Sequence, residues 1–207
     1  CNFIMSKLET NTIDTLSGTS TLQVGSTNTT TITLGVSGDT INVPSGVTIA
    51  NSGTATGFGG ANTPNFHVTR SGDQSISNNT ATKIQFNAET YDTSNAFDSS
   101  TNYRYTPQTS GKYYLYAHIY IANGSSATMT EYTVNIYKNG SKIAGNSLDH
   151  RSGGLGYNFM VPVSTVVESN GSSDYYEVFA NVNWGGGSQN IKGAANQTFF
   201  GGYKLIE

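Results

Sequence analysis

The chain has 207 residues, a formal net charge of −3 and only 11% charged residues, against about a quarter in typical globular domains. Threonine, serine, asparagine and glycine make up 98 of the 207 residues, and all four disfavour helix, which excludes a helical bundle. The charge balance leaves no basic surface for nucleic acid. A single cysteine cannot form an internal disulfide, and no apolar run is long enough to insert into a membrane.

The first residues are open to two interpretations. Met5-Ser6-Lys7 is typical of a translation start with four residues ahead of it. Alternatively, Cys1 is the acylated first residue of a lipoprotein. We favour the translation start and expect an N-terminal attachment segment here.

The composition changes sharply near residue 65. Between residues 17 and 65 the only charged residue is Asp39 and the only aromatic residue is Phe58, whereas residues 66–207 hold 21 of the 23 aromatic residues. Glycines and a proline at the junction are typical of a linker. We therefore expect an attachment segment at 1–16, a β-repeat stalk at 17–57, a Gly/Pro linker at 58–65 and a globular knob domain at 66–207.

The stalk segment contains short apolar pairs that skip one residue, the period of a strand with one buried face. The pairs are Leu22 and Val24, Ile32 and Leu34, Ile41 and Val43, and Val47 and Ile49. Two apolar side chains per unit bury too little surface to offset the ordering of the backbone, which costs about 1–2 kcal/mol per residue. The segment is therefore either a flexible linker or β-structure shared among three chains. We favour the shared structure because the β-branched residues are in register.

The stretch from Thr12 to Phe58 resembles phage tail-fibre and other virion appendage proteins. The motifs that carry the resemblance are TIDTLSG at 12–18, GDTINVP at 38–44 and GVTIA at 46–50.

The knob segment reads as successive strands with turn signals between them. The predicted strands are Thr82–Thr90, Asn102–Thr106, Lys112–Ile121, Met129–Lys138, Asn158–Val167, Tyr175–Trp184 and Thr198–Ile206. Asn-Gly pairs at 123–124, 139–140 and 170–171 are typical of hairpin turns, which need positive φ. The pattern predicts an all-β fold, an antiparallel jelly-roll sandwich.

The predicted strand over 113–121 has two apolar faces. Its odd positions form an ordinary core face from Tyr113 to Ile121, but its even positions carry aromatic rings where a solvated strand would carry charged residues. Aromatic side chains on a second face indicate a partner surface, although this face could instead pack on the second sheet. We expect an interface between three copies of the chain, formed by Tyr114, Tyr116, His118, Tyr120, Tyr175 and Phe179.

Residues 66–206 resemble the globular head domain of complement component one, subunit q, whose fold is shared with tumour necrosis factor. The motifs are IQFN at 84–87, FD at 97–98, YRYTP at 103–107, SGKYYLYAHI at 110–119, VNIYKNG at 134–140 and TFFGGYKLI at 198–206. The resemblance implies a ten-stranded jelly roll assembled as a homotrimer, with aromatic residues near the three-fold axis. The sequence departs from animal members in its Asn/Ser/Thr-rich loops and in lacking a collagen stalk.

Few residues point to chemistry. His67, His118 and His150 are not spaced for a zinc site or a catalytic base, so we expect no catalytic, cofactor-binding or metal-binding residue. Asp92 and Asp98 flank a polar loop for which Ca²⁺ is the alternative to simple solvation. Trp184, on a predicted exposed loop, either binds a ligand or closes the edge of the sandwich.

These features favour a virion protein that is not an enzyme, a homotrimeric phage fibre or appendage. Its N-terminal segment would attach to other virion proteins, and its knob would bind a host-surface saccharide or protein with the avidity of three sites. One alternative is a capsid decoration protein that clamps capsomers. Another is a secreted or lipid-anchored bacterial adhesion protein.

Overall fold

The computed structural model describes residues 24, 30–50, 52, 62–123, 129–149, 158–185 and 189–205. The chain divides into two units, Cys1–Ala55 and Thr56–Glu207. The predicted attachment segment at 1–16 lies outside the described residues. None of the described residues forms a helix that could cross a membrane.

The described residues of the first unit form turns but no strand. Backbone hydrogen bonds of 3.0 and 3.2 Å close turns over 36–39 and 44–47. Their third residues, Gly38 and Gly46, have φ angles of 98° and 85°, a conformation that favours glycine. The apolar side chains are 40–77% exposed, namely Val24, Ile32, Leu34, Val36, Ile41, Val43, Val47 and Ile49. A single chain therefore leaves these described side chains uncovered.

The second unit is built from strands alone in its described part. They are β1 (Asn65–Thr69), β2 (Gln74–Ile76), β3 (Thr82–Lys83), β4 (Ala88–Asp92), β5 (Phe97–Asp98), β6 (Arg104–Tyr105), β7 (Gly111–Asn123), β8 (Met129–Lys138), β9 (Ser141–Asp149), β10 (Asn158–Ser169), β11 (Tyr176–Trp184), β12 (Gln189–Ile191) and β13 (Phe199–Lys204).

These strands form two antiparallel sheets. The first sheet runs β2-β12-β7-β13-β1-β4, and β10 also pairs with β7; the second runs β5-β6-β11-β8-β9, and β3 also pairs with β11. Apart from β5–β6 and β8–β9, the paired strands are not consecutive in the sequence, and the first strand pairs with the last. This topology confirms the predicted all-β jelly-roll sandwich.

Alternation along each strand builds the core between the sheets. The odd positions of β7, from Tyr113 to Ile121, are at most 3% exposed, as the period-two pattern predicts. Aromatic rings fill one end of the core, where the ring centroids of Phe66 and Tyr105 lie 3.9 Å apart and Phe200 packs edge-on at 5.0 Å from Phe66.

The predicted strand Thr82–Thr90 is wrong in its middle because the chain changes sheets there. β3 pairs with β11 in the second sheet, whereas β4 pairs with β1 in the first. The Gln74 side chain replaces a strand partner at the crossing, donating to the Lys83 carbonyl at 2.7 Å and accepting from the Gln85 N–H at 2.9 Å. Ile84 and Phe86, between β3 and β4, are both fully buried.

The turn predictions have three outcomes. Asn139 and Gly140 join β8 to β9 with φ angles of 51° and 78°, which confirms a hairpin turn. The pair at 170–171 is not a hairpin, because it links β10 in the first sheet to β11 in the second. At 123–124, Gly124 lies outside the described residues. The sequence also missed β9, whose side chains are mostly exposed and lack apolar alternation.

Candidate functional site

The outer face of the first sheet is covered with aromatic and imidazole rings. We call this surface the aromatic face. It consists of His67 on β1, Tyr91 on β4, Tyr114, Tyr116, His118 and Tyr120 on β7, and Phe199 and Tyr203 on β13. All are half-buried except Tyr91, which is 46% exposed.

The rings of the aromatic face pack against one another across four strands. Phe199 is central, with its ring centroid 5.2 Å from both His67 and His118 and 6.2 Å from Tyr116. Tyr114 continues the chain of contacts, 6.1 Å from Tyr116. Since such spacings are typical of packed aromatic pairs, these rings form one packed, largely apolar surface.

Tyr116 lies over the backbone of β13. The strand carries Gly201 opposite it, and a Cβ at Gly201 would lie 2.5 Å from the Tyr116 hydroxyl oxygen and 2.9 Å from the Phe66 carbonyl oxygen. The Tyr116 hydroxyl is hydrogen-bonded to His67 Nδ1 at 3.1 Å. Burial raises the pKa of Tyr116 to about 12, so the phenol stays protonated at neutral pH.

His118 places a buried ring nitrogen on this surface. Its Nδ1 atom is buried and has no hydrogen-bond partner among the described residues. Burial lowers the pKa of His118, and that of His67, below the usual value. Both imidazoles are therefore held neutral by their surroundings.

A groove of about 490 Å³ runs along this side of the sandwich. It is lined by Tyr114, Tyr116, Ala117, His118, Ala144, Gly145, Asn146, Pro162, Val163, Ser164 and Phe199. Met160 and Val166 of β10, which pair with Tyr120 and Tyr114, are 45% and 55% exposed. The aromatic face and β10 together thus present a continuous apolar surface to solvent.

Two of the predicted interface residues do not join this surface. Phe179 lies on the outer face of the second sheet, 4.6 Å from the ring of Tyr137. Tyr175 precedes β11 in the same sheet and lies under the guanidinium of Arg104 at 4.4 Å. Aromatic residues alternate in the same way along strands of both sheets. The sequence pattern therefore did not show that Tyr175 and Phe179 belong to a different sheet from the tyrosines of β7.

Trp184 is not on an exposed loop, and that expectation was wrong. It ends β11 and is 8% exposed within the core, because alternation along the strand turns it inward with Val182. The side chain of Asn78 fastens the strand end, accepting from the Trp184 N–H at 3.0 Å and donating to its carbonyl at 3.1 Å. Trp184 therefore closes the sandwich rather than meeting a ligand.

In the loop that contains Asp92 and Asp98, both carboxylates accept hydrogen bonds from the backbone of the loop itself. Asp92 accepts the N–H groups of Ala96 and Phe97 at 2.6 and 2.7 Å, and Asp98 accepts those of Thr101 and Asn102 at 2.8 and 3.0 Å. The part of the chain that the structure describes holds no group of three or more His, Cys, Asp or Glu side chains that could bind a metal. His150 lies outside that part.

The outer face of the second sheet is polar, and sequence reasoning missed most of it. A depression of about 60 Å³, which we call the amide pocket, is lined by Asn79, Glu131, Thr133, Asn181 and Asn183. Thr133 pairs with Asn181 and Glu131 with Asn183 across β8 and β11. The signal in the sequence was the run of polar residues at odd positions of two strands predicted correctly as strands.

No protein-family model matches the chain, and no curated protein matches it. Among solved structures, the chain is similar to Eiger TNF from S. frugiperda, with a TM-score of 0.48 and 11% identity over 69% of this chain and 92% of that one. It is also similar to murine APRIL at pH 5.0, with a TM-score of 0.46 and 13% identity, and at pH 8.0, with 0.46 and 12%. Each APRIL match covers 68% of this chain and 98% of that chain.

Proposed function

We propose that the protein is a non-enzymatic, homotrimeric fibre or appendage of a virion whose jelly-roll knob binds a host surface. The aromatic face carries the proposal. The residues of this face include no ionised side chain, and the face is continuous with the exposed side chains of Met160 and Val166. A large exposed apolar surface of this kind is typical of a contact site for a partner. The likeness of residues 66–206 to the head of complement subunit q supports a second and third copy as that partner.

The first unit supports the same assembly. Its described apolar side chains are exposed in the single chain, and two turns, at 36–39 and 44–47, separate the described apolar pairs. Three chains wound together would cover these side chains, as expected for a stalk that attaches to other virion proteins. Three identical knobs at the end of one stalk then bind a cell-surface saccharide or protein with avidity.

The oligomeric state tests this proposal directly. Light scattering of the wild type is expected to give three times the chain mass. Tyr116→Lys is expected to give a monomer, because assembly would bury three uncompensated ammonium groups. Tyr137→Lys is the matched control: the same change at a half-buried tyrosine of the second sheet should leave the trimer intact. A monomeric wild type, or a trimeric Y116K, would refute the assignment of the interface.

Microscopy of purified particles labelled with antibody tests the virion role. Label on fibres or other projecting appendages is expected. Label confined to the capsid shell would instead identify a decoration protein, and an acyl group on Cys1 found by mass spectrometry would identify a bacterial adhesion protein.

A further inference from the structure

We propose that the amide pocket on the second sheet binds an uncharged saccharide. The inference rests on the proposed role in host-surface recognition and assigns that role to a site. The pocket lies on the sheet opposite the aromatic face, so assembly through the aromatic face leaves it open to a ligand.

Two buried acceptor atoms on this face lack a donor, and one of them belongs to a residue that lines the pocket. Asn181 Oδ1 and Asn135 Oδ1 are buried, and neither has a hydrogen-bond partner in the described part of the chain. Asn135 is only 7% exposed, and its amide nitrogen donates to Thr133 Oγ1 at 3.3 Å. Since an unpaired buried acceptor costs about 1–3 kcal/mol, Asn181 Oδ1 in the pocket favours a ligand that supplies a donor.

The second atom, Asn135 Oδ1, is turned towards β9 and away from the pocket. Gly145 of β9 faces Asn135, and a Cβ there would collide with the Asn135 amide oxygen, which therefore occupies the space above Gly145. The pocket itself is built across β8 and β11, where Thr133 pairs with Asn181 and Glu131 with Asn183. Asn181 Oδ1 is thus the unpaired acceptor that a ligand in the pocket would meet.

Hydroxyl groups fit this lining better than a cation or an anion. A hydroxyl both donates and accepts, so it can satisfy the oxygen and the nitrogen of an amide, whereas a cation satisfies only oxygens. Glu131 contributes a carboxylate to the pocket and lies opposite Asp149 in the β8–β9 strand register. Because these carboxylates repel an anion, the pocket disfavours sulfated, phosphorylated or acidic sugars. The volume of about 60 Å³ accepts one edge of a sugar ring rather than a whole ring.

An apolar wall completes the site. Phe179 is half-buried on the same outer face, next to Asn181 along β11, and it is braced by Tyr137 at 4.6 Å. The carbon–hydrogen face of a sugar ring packs on such an aromatic side chain while its hydroxyls reach the amides. Lys83, near the Phe179 ring, is already paired with Glu177 at 2.5 Å and does not add a charge to the pocket.

Saturation-transfer NMR on the whole 207-residue chain tests the site. The probes are the neutral sugars glucose, galactose, mannose, rhamnose, fucose, N-acetylglucosamine and N-acetylgalactosamine, each at millimolar concentration. At least one is expected to bind the wild type. Asn181→Ala and Asn183→Ala are each expected to weaken that sugar about tenfold, because each removes hydrogen bonds to it. Asn158→Ala, at an exposed asparagine of the first sheet, is the matched control and should bind as the wild type does.

Three outcomes would overturn the inference. The first is that no neutral sugar binds, and the second is that both pocket variants bind the sugar as the wild type does. The third is that the NMR signals of the protein change only on addition of calcium chloride and that EDTA reverses the change. Light scattering on the same samples separates this result from the proposed function. A trimer that binds no sugar refutes the saccharide site alone, whereas a monomer refutes the assembly on which the proposed function depends.

Discussion

Gly201→Ala should damage the aromatic face through a single methyl group. The new Cβ would lie 2.5 Å from the Tyr116 hydroxyl oxygen and 2.6 Å from Cζ of the same ring, against about 3.5–4.0 Å for a relaxed contact. The ring must therefore move by about 1 Å, which breaks its hydrogen bond to His67. The Phe66 carbonyl, 2.9 Å from the new atom, is held in the β1–β13 ladder and cannot move cheaply. Overpacking of this kind costs about 1–3 kcal/mol.

Urea unfolding at several protein concentrations measures this cost, because the stability of an oligomer depends on concentration. Gly72→Ala is the matched control, since a Cβ at Gly72 would meet no atom within 4 Å. Adding Tyr116→Ala to Gly201→Ala removes the clash with the ring and leaves only the close approach to the Phe66 carbonyl, so the two changes should cost less together than their sum. If G201A were as stable as G72A and assembled equally well, the proposed packing of Tyr116 would be wrong.

Three further predictions concern charge and pH. Burial lowers the pKa of His118, so stability should be full above about pH 6.5 and fall as the pH drops through the lowered value; thermal melts of H118F should show a weaker pH dependence than the wild type. Hydrogen bonds from the backbone of Thr101 and then Ser100 hold the pKa of the Asp98 carboxyl well below its usual range, so D98N should lower Tm at pH 7; the difference should begin to shrink below about pH 4 and vanish only when the pH has fallen through the lowered pKa. K83M leaves the carboxylate of Glu177, 8% exposed, without its cation and should lower the free energy of unfolding in urea by on the order of 2 kcal/mol. K83M combined with E177L should recover part of that loss. If the double variant lost as much stability as K83M alone, the ion pair would not be a desolvated one.

The residues of β7 show what could be predicted without a structure. Side chains alternate strictly along a strand, so the buried face from Tyr113 to Ile121 and the ring-bearing face with Tyr116 were both legible in the sequence. Ile84 and Phe86 are two residues apart and both buried, although they lie between β3 and β4 and not in the continuous strand predicted over 82–90.

The composition of the aromatic face could not be predicted in the same way. His67 and Phe199 are separated by more than a hundred residues, and they meet only because β1 and β13 pair in one register. Phe179 has the same alternating pattern as the ring-bearing positions of β7 but belongs to the other sheet, because β11 pairs with β8. Sequence periodicity says that a side chain faces outward, and the pairing of distant strands decides which outer face it occupies.

The amino-acid sequence by itself determined that this chain is all-β and that one strand carries aromatic rings on both of its faces. It also determined that the apolar pairs of the first unit are too few to form a core within a single chain. These properties follow from composition and from a period of two residues, which are local. Only the tertiary structure decided that Trp184 closes the core and that polar side chains of β8 and β11 line one pocket. Both depend on long-range strand pairing and on where the chain changes sheets, which no local pattern encodes.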